Sequence, residues 1–327
     1  MKQFNLVIGG NGHLGNNLTR RLLEKGLTVR ASVRGPAARQ PLEGLACETV
    51  YADIMDRGSL LKAMEGVDVL YIAAAVYKSW ARDIQHEIID VNIQGTENII
   101  EAAAARGVRK VVYVSSTFTC DHRKTPMDEV GFNDNRSEPY IYSKTEAEKL
   151  ALDLAGRRSV DMVSVLPSAM IGPHCHGHLT PTMELLFKIL ANQLPFDPGF
   201  RFNFVDIRDV CDAMIAASRI GRNGQRYIVA QELPMTSTEL FEFARSIYPG
   251  VRIPRRAPYG LVYAAASVME LVSMIARKKP LMMRSQVKNF HEGAFQFDIS
   301  KAENELGFRP RPTRDAVRDA LQYLSQR

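Results

Sequence analysis

One segment near the start constrains the fold more than any other. The apolar run FNLVI passes directly into GGNGHLG, and an amphipathic stretch over residues 14–25 follows. Gly9, Gly12 and Gly15 therefore stand in GxxGxxG spacing between a strand and a helix. Glycine at that junction lets the backbone turn tightly and approach a bound pyrophosphate. The open N–H groups and positive dipole end of the helix favour the anion. The spacing alone is a weak signal, and its setting between strand and helix is what strengthens it. Gly9, Asn11, Gly12, His13, Leu14 and Gly15 are the expected loop contacts to a dinucleotide.

The next 150 residues continue the alternation. Runs rich in Val, Ile and Tyr at 4–8, 28–33, 48–52, 67–73, 108–115 and 160–166 are nearly continuous in apolar character, as strands covered on both faces are. Helix-like stretches lie at 14–25, 59–64, 87–105 and 140–155. This pattern predicts an α/β fold, a doubly wound parallel sheet with helices on both faces. After Pro167 the rhythm changes. Residues 172–200 hold four prolines and three glycines and read as a loop with one helix near 182–191. A strand at 202–205, a helix at 207–218 and a strand at 226–230 are expected to return to the sheet. Beyond Pro234 the chain reads as mostly helical, with joints at 249–260 and 307–312. For 327 residues, about 150 per domain suggests two domains. The expected division is a dinucleotide-binding domain of residues 1–168 and 201–232, and a smaller substrate-binding domain of 169–200 and 233–327.

Composition excludes several classes. With 46% hydrophobic and 24% charged residues, the chain is no disordered, collagen-like or disulfide-stapled protein. Lys and Arg exceed Asp and Glu by 42 to 36, and they sit singly or in twos and threes. That mild excess suits an anionic ligand such as a dinucleotide and is no nucleic-acid signature. Cys47, Cys120, Cys175 and Cys211 lie far apart with no CxxC pair, which predicts reduced thiols and a cytoplasmic location. MKQFNLVIGG is not read as a signal peptide. The most apolar stretch, 259–275, is interrupted by Glu270 and flanked by Arg255, Arg256, Arg277, Lys278 and Lys279. A packed helix of the substrate domain is favoured there over a membrane-surface helix. Met269, Met274, Met282 and Met283 either line an adaptable apolar pocket or fill the core.

The end of the second strand speaks to cofactor choice. An acid there would hold free ribose hydroxyls; TVRASVRG instead ends on Arg34, with Arg39 close behind. Arginine pairs with a 2′-phosphate, so NADP(H) is expected over NAD(H). Asp53 and Ile54 follow the third strand, with Asp53 placed to accept from an adenine amino group. Ala73, Ala74 and Ala75 end the fourth strand; their small side chains either leave room for the cofactor or serve ordinary packing.

A catalytic pair stands in PYIYSKTEAEKL. Tyr140 and Lys144 are four apart, which places them on one helix face. A lysine ammonium beside a phenol favours the phenolate and pulls its pKa from about 10 toward neutrality. Such a tyrosine can give or take a proton. Tyr142 is two residues from Lys144 and points elsewhere. Upstream, VVYVSSTF ends the fifth strand, and strand carboxyl ends face the crevice of a doubly wound sheet. Ser116 is the expected hydroxyl for a substrate oxygen, with Thr117 second. His174, Cys175, His176 and His178 fall within five residues. Without a defined geometry or a fourth ligand this is read as loop or substrate contact, and no metal is expected.

Taken in order, GGNGHLG, YADIMD, VNIQGTENIIEAA, VVYVSS, PYIYSK, LPSAMIGP, NFVDIRDV and FDISKAENELGFRPRP resemble the extended short-chain dehydrogenase/reductases, within the NAD-dependent epimerase/dehydratase superfamily. TVRASVR and the GPH…TPTMELL loop are most similar to the dihydroflavonol 4-reductase-like branch. The resemblance implies Ser116, Tyr140 and Lys144 as a catalytic triad. It implies that Asn92, in the NxxGT motif, orders the site, and that Pro167 and Ser168 meet the nicotinamide side. It further implies a reductase acting on a small-molecule carbonyl or alcohol substrate, which the apolar lid suggests is bulky and hydrophobic, and homodimers through the helices carrying 87–105 and 140–155. Departures from the family pattern are Ile8 for a threonine, Ile72 for a histidine, and Thr119-Cys120 after the serines. The last weakens a nucleotide-sugar epimerase reading. Epimerase or dehydratase chemistry with retained NAD(P), and a non-catalytic dinucleotide sensor, remain as alternatives to a reductase.

Overall fold

The computed structural model describes residues 3–74, 80–177, 179–276, 280 and 282–327. The first half runs β1 (Phe4–Ile8), α1 (His13–Glu24), β2 (Thr28–Val33), β3 (Glu48–Tyr51), α2 (Arg57–Ala63), β4 (Val69–Ile72), α3 (Asp90–Ala105), β5 (Lys110–Val114), α4 (Pro139–Arg157) and β6 (Met162–Pro167). The second half runs β7 (Ala169–Ile171), α5 (Pro181–Leu190), β8 (Arg201–Phe202), β9 (Phe204–Asp206), α6 (Ile207–Ile220), β10 (Arg226–Val229), β11 (Met235–Thr236), α7 (Ser237–Ile247), α8 (Tyr259–Ala276), α9 (Arg284–Glu292), α10 (Ser300–Leu306) and α11 (Thr313–Ser325).

Seven strands form one parallel sheet in the order β10-β6-β5-β4-β1-β2-β3. From β1 the chain builds outward through β2 and β3. It then crosses back to β4 and builds the other way. The strand order therefore reverses between β1 and β4, and in such sheets the ligand crevice opens at the carboxyl ends of those strands. Side chains along β1 alternate between the two faces, as the period of two requires. Val7 joins Leu18 and Leu22 of α1 and Val210 and Met214 of α6 on one face. Leu6 and Ile8 join Leu60 of α2, Ile99 of α3 and Ala151 of α4 on the other. Leu18, Leu22 and Leu60 are fully buried, and each contributes roughly 1.5–3 kcal/mol.

The expected strand at 202–205 does not return to the sheet. It is broken at Asn203 into β8, antiparallel to β11, and β9, parallel to β7. The buried Asn203 amide donates to the Gln231 and Phe295 carbonyls and accepts from Gln231 N–H. The Asn203 side chain is thereby anchored to the chain around 231 and 295 at the point where the strand changes partner, while its backbone carbonyl accepts from Ala169 N–H (3.0 Å). The strand expected at 226–230 does return, as edge strand β10. The helix expected from residue 87 opens with a π-helical turn, Gln85–Ile89, ahead of α3.

Two further clusters build the C-terminal region. Met183, Leu186, Phe204, Phe241, Val317 and Leu321 pack α5, α7 and α11 over β9. Val262 and Ala266 of α8 pack with Val287 of α9 and with Phe200. Helix α8 packs in the C-terminal region through one side, with Met282 filling beside it. The Met274 side chain lies outside those described. Helix α10 turns back onto α6 and β10, burying Ala302 and Leu306 in the first core. Among the described residues, no helix is long and apolar enough to cross a membrane.

Candidate active site

The glycine turn is built by close backbone approach. Gly9 has φ +84° and lies under Ala74, whose Cβ would be 3.0 Å from any Cβ at Gly9. A Cβ at Gly15 would fall 2.1 Å from the Gly9 carbonyl, and one at Gly10 would fall 2.7 Å from Ala31 Cβ. No side chain other than hydrogen fits Gly15 without moving the turn. The Gly12 N–H donates to the Gly9 carbonyl (3.0 Å), and α1 begins at His13 with no side-chain cap. The amide end of α1 is therefore presented at the crevice, the arrangement an anion needs. Ala74 packs beneath the turn, so its small size is needed for packing. Ala75 lies outside the described residues.

The remaining expected contacts divide into open and engaged groups. Arg34 and Arg39 are exposed and have no ion-pair or hydrogen-bond partner among the described residues. Asp53 accepts from Met55 N–H (2.9 Å) and is half-buried. Ile54 packs against α3 where Gly95 makes room; a Cβ on Gly95 would lie 2.6 Å from it. Leu14 is buried in the core, while Asn11 remains half-buried in the turn. His13 Nε2 lies 3.2 Å from the Gly172 carbonyl and 3.0 Å from that of Pro173. Burial pulls its pKa down to about 4, against the pull of those carbonyls. The ring is neutral at pH 7 and carries its proton on Nε2, since both neighbours there are acceptors. Asn17 also donates to Pro173 O (2.9 Å). The first turn of α1 is thus bonded to the segment following β7.

Ser116, Tyr140 and Lys144 gather at the carboxyl end of β5. Lys144 is buried and donates to the carbonyl of Val114 (2.8 Å), with Nζ 5.0 Å from the Tyr113 ring centre. Burial lowers its pKa to about 8, partly offset by Glu148. Ser116 is buried and caps the short turn Thr117–Thr119, accepting from Phe118 N–H (3.2 Å). Thr117 is buried beside it. Tyr140, half-buried in the first turn of α4, meets Phe118 edge to face at 6.4 Å. Asn92 donates to Ser143 Oγ (3.0 Å), which donates to the Tyr140 carbonyl (3.0 Å). Asn92 therefore fixes the turn that carries the tyrosine. Tyr142 lies under the Arg136 guanidinium, away from this set. Pro167 ends β6 opposite Val229, and the neighbouring Ser168 hydroxyl is buried without a hydrogen-bond partner among the described residues. A buried hydroxyl of that kind fits a ligand amide.

Sequence reading missed the support beneath this site. Glu148 is fully buried on α4, one turn after Lys144. It accepts from Ser115 Oγ (2.7 Å), Thr119 Oγ1 (2.7 Å) and Arg226 Nε (2.9 Å). Arg226 also donates to the carbonyls of Glu129 and Gly131. Glu138, just ahead of α4, accepts from Ser285 of α9, and Phe290 of α9 faces Phe118. The available signal was the i, i+4 step from Lys144 to Glu148, and an arginine opening an otherwise apolar strand. His174 and His176 stack at 6.1 Å, and His178 lies outside the described residues. Among the described residues no three His, Cys, Asp or Glu side chains could hold a metal.

Comparison with known proteins fits this arrangement. The model of the NAD dependent epimerase/dehydratase family matches residues 5–230. The chain belongs to that family. Sterol demethylase protein B of Methylococcus capsulatus is 31% identical over 328 residues, covering 98% of each chain. The bifunctional dihydroflavonol 4-reductase/flavanone 4-reductase of Pyrus communis is 31% identical over 271 residues, covering 76% of this chain and 78% of its own. The crystal structure of yeast methylglyoxal/isovaleraldehyde reductase Gre2 complexed with NADPH shares the fold, with a TM-score of 0.78, 20% identity and coverage of 99% and 98%. The chain is a nicotinamide-dinucleotide-dependent oxidoreductase of the extended short-chain dehydrogenase/reductase type, in the dihydroflavonol 4-reductase-like branch.

The buried charge pair sets a stability prediction. Arg226→Met leaves the Glu148 carboxylate without its counter-charge, at an expected cost of about 3–5 kcal/mol. Urea unfolding should show that loss as a lower midpoint. Combining it with Glu148→Gln should recover most of the loss; a double variant as weak as the single one would refute the charge explanation.

Proposed function

We propose that this protein is an NADP(H)-dependent reductase of a ketone or aldehyde on a bulky, apolar molecule. The observation that carries the reading is the buried Lys144 ammonium on the Val114 carbonyl, at the strand end that also bears Ser116 and beside the turn that bears Tyr140. Bound NADPH supplies the hydride to the carbonyl carbon. Tyr140 gives its phenolic proton to the carbonyl oxygen and recovers one from solvent after product leaves. Ser116 Oγ hydrogen-bonds that oxygen and orients it. Lys144 holds its charge near the phenol and stabilises the phenolate left behind.

The cofactor is held by Gly9, Asn11, Gly12, His13, Leu14 and Gly15 at the pyrophosphate. Asp53 and Ile54 would flank the adenine, Ala73 and Ala74 would line the passage, and Asn92, Tyr140, Lys144, Pro167 and Ser168 would surround the nicotinamide end. Arg34 would take the 2′-phosphate, and the lack of a carboxylate partner for it among the described residues supports NADP(H) over NAD(H). Residues 1–168 and 201–232 form the cofactor part, and 169–200 and 233–327 form the substrate part. The aromatic group of Phe118, Phe290 and Phe295 beside Tyr140 supports a bulky apolar substrate. So does the full-length likeness to a protein named for sterol demethylation.

Replacing Tyr140 with Phe should lower turnover about 10²–10⁴-fold. Affinity for NADPH, followed by its fluorescence, should not change. The assay is NADPH oxidation against aromatic, aliphatic and steroid-like ketones and aldehydes. Turnover close to the parent rate would remove Tyr140 from the chemistry.

The lysine predicts a pH limit. Its ammonium form is lost as pH rises through about 8, so kcat/KM should fall above that value. A flat profile to pH 10 would contradict the role.

Arg34→Ala should weaken NADPH binding by about tenfold or more, the worth of a charge-assisted hydrogen bond. NADH binding should change little. Equal losses for the two cofactors would place the 2′-phosphate elsewhere.

A further inference from the structure

Helix α8 has two apolar sides, and only one is covered. Val262 and Ala266 face inward onto α9. Its lone charged residue, Glu270, accepts from the backbone N–H (2.7 Å) and guanidinium (2.6 Å) of Arg284 on α9. On the outer side Leu261, Val268, Leu271 and Val272 are 64%, 61%, 59% and 56% exposed. Ala264 and Ala265 complete the same arc at steps of three and four residues. The bare strip carries no charged side chain and runs about 16 Å along the helix. Water-facing helix surfaces ordinarily carry polar residues, so an uncharged strip of this length marks a contact.

Charge identifies what covers it. Residues 250–293 hold eight Lys and Arg and only two acids, Glu270 and Glu292. Their excess of six equals the formal net charge of the whole chain, +6, so the other residues balance. Arg252, Arg255 and Arg256 precede α8 and are exposed, and Lys288 is exposed on α9. In sequence, Arg277, Lys278 and Lys279 follow the helix directly. A second copy of this chain would bring the same positive charge to the contact and be repelled. An anionic lipid surface would attract it, accept the apolar strip below its headgroups and pair its phosphates with the flanking arginines.

We propose that α8, with Arg252, Arg255, Arg256 and Lys288 beside it, docks this protein, without crossing, onto the surface of an anionic bilayer. This reverses the preference drawn from sequence for a packed helix of the substrate domain over a membrane-surface helix. The inner side of the same layer reaches the candidate active site through Ser285 at Glu138 and Phe290 at Phe118. The docking itself does not depend on the identity of the substrate.

The test is co-sedimentation of the full chain with vesicles of phosphatidylcholine alone and of phosphatidylcholine mixed with phosphatidylglycerol. Binding to the mixed vesicles should be about tenfold tighter and should weaken as salt screens the charges. Val268→Glu combined with Leu271→Glu should abolish binding, while NADPH affinity and melting temperature report an intact fold. No sedimentation with mixed vesicles would overturn the proposal, as would equal sedimentation of the double variant. A dimer of the parent chain that the double variant dissociates, seen by analytical ultracentrifugation, would assign the strip to a second copy instead and equally overturn it.

Discussion

A carboxylate with no access to water holds the active end of this molecule together. Glu148 is paired in the interior with the Arg226 guanidinium, and its partners come from two other elements. Arg226 opens the edge strand β10. Ser115 and Thr119 lie on the turn after β5. Glu148 itself belongs to α4, the helix that presents Tyr140 and Lys144. Arg226 adds the carbonyls of Glu129 and Gly131 from the intervening loop. Three neighbouring segments of residues 115–148 are therefore tied to β10, 78 residues further on, by one charge pair.

Under the proposed function, the same end would show how burial of charge serves chemistry at a thermodynamic cost. Lys144 keeps its ammonium in a desolvated place, where its field acts strongly on neighbouring groups. The Val114 carbonyl and the nearby Tyr113 ring offset part of the desolvation. A methionine of similar length would pack there at less cost and do nothing for a phenol. Residues of this sort mark function because stability alone would not select them.

Much of this was legible in the sequence, for identifiable reasons. Strands buried on both faces leave continuous apolar runs, so β1 and β2 could be bounded to the residue. Gly15 announces itself because the Gly9 carbonyl occupies the space of its side chain. Tyr140 and Lys144 are neighbours in helical spacing, a local relation. The failures were non-local. Asn203 looks like an ordinary strand residue until Gln231 and Phe295 arrive to claim its amide. The pairing of Glu148 with Arg226 spans 78 residues and leaves no periodic trace. Helix α8 was apolar enough to suggest burial, yet apolarity alone could not tell which of its sides would be covered.

The bond between His13 and the Pro173 carbonyl links two parts that could have moved separately. One end lies in the glycine turn where a dinucleotide phosphate would rest. The other lies in the segment leading into the proline-rich loop before α5. Because the imidazole is neutral, the link is indifferent to pH across the physiological range and acts as a fixed tether. Under the proposed function, a cofactor resting on the turn and a substrate beneath the loop would therefore meet one joined surface rather than two independent parts.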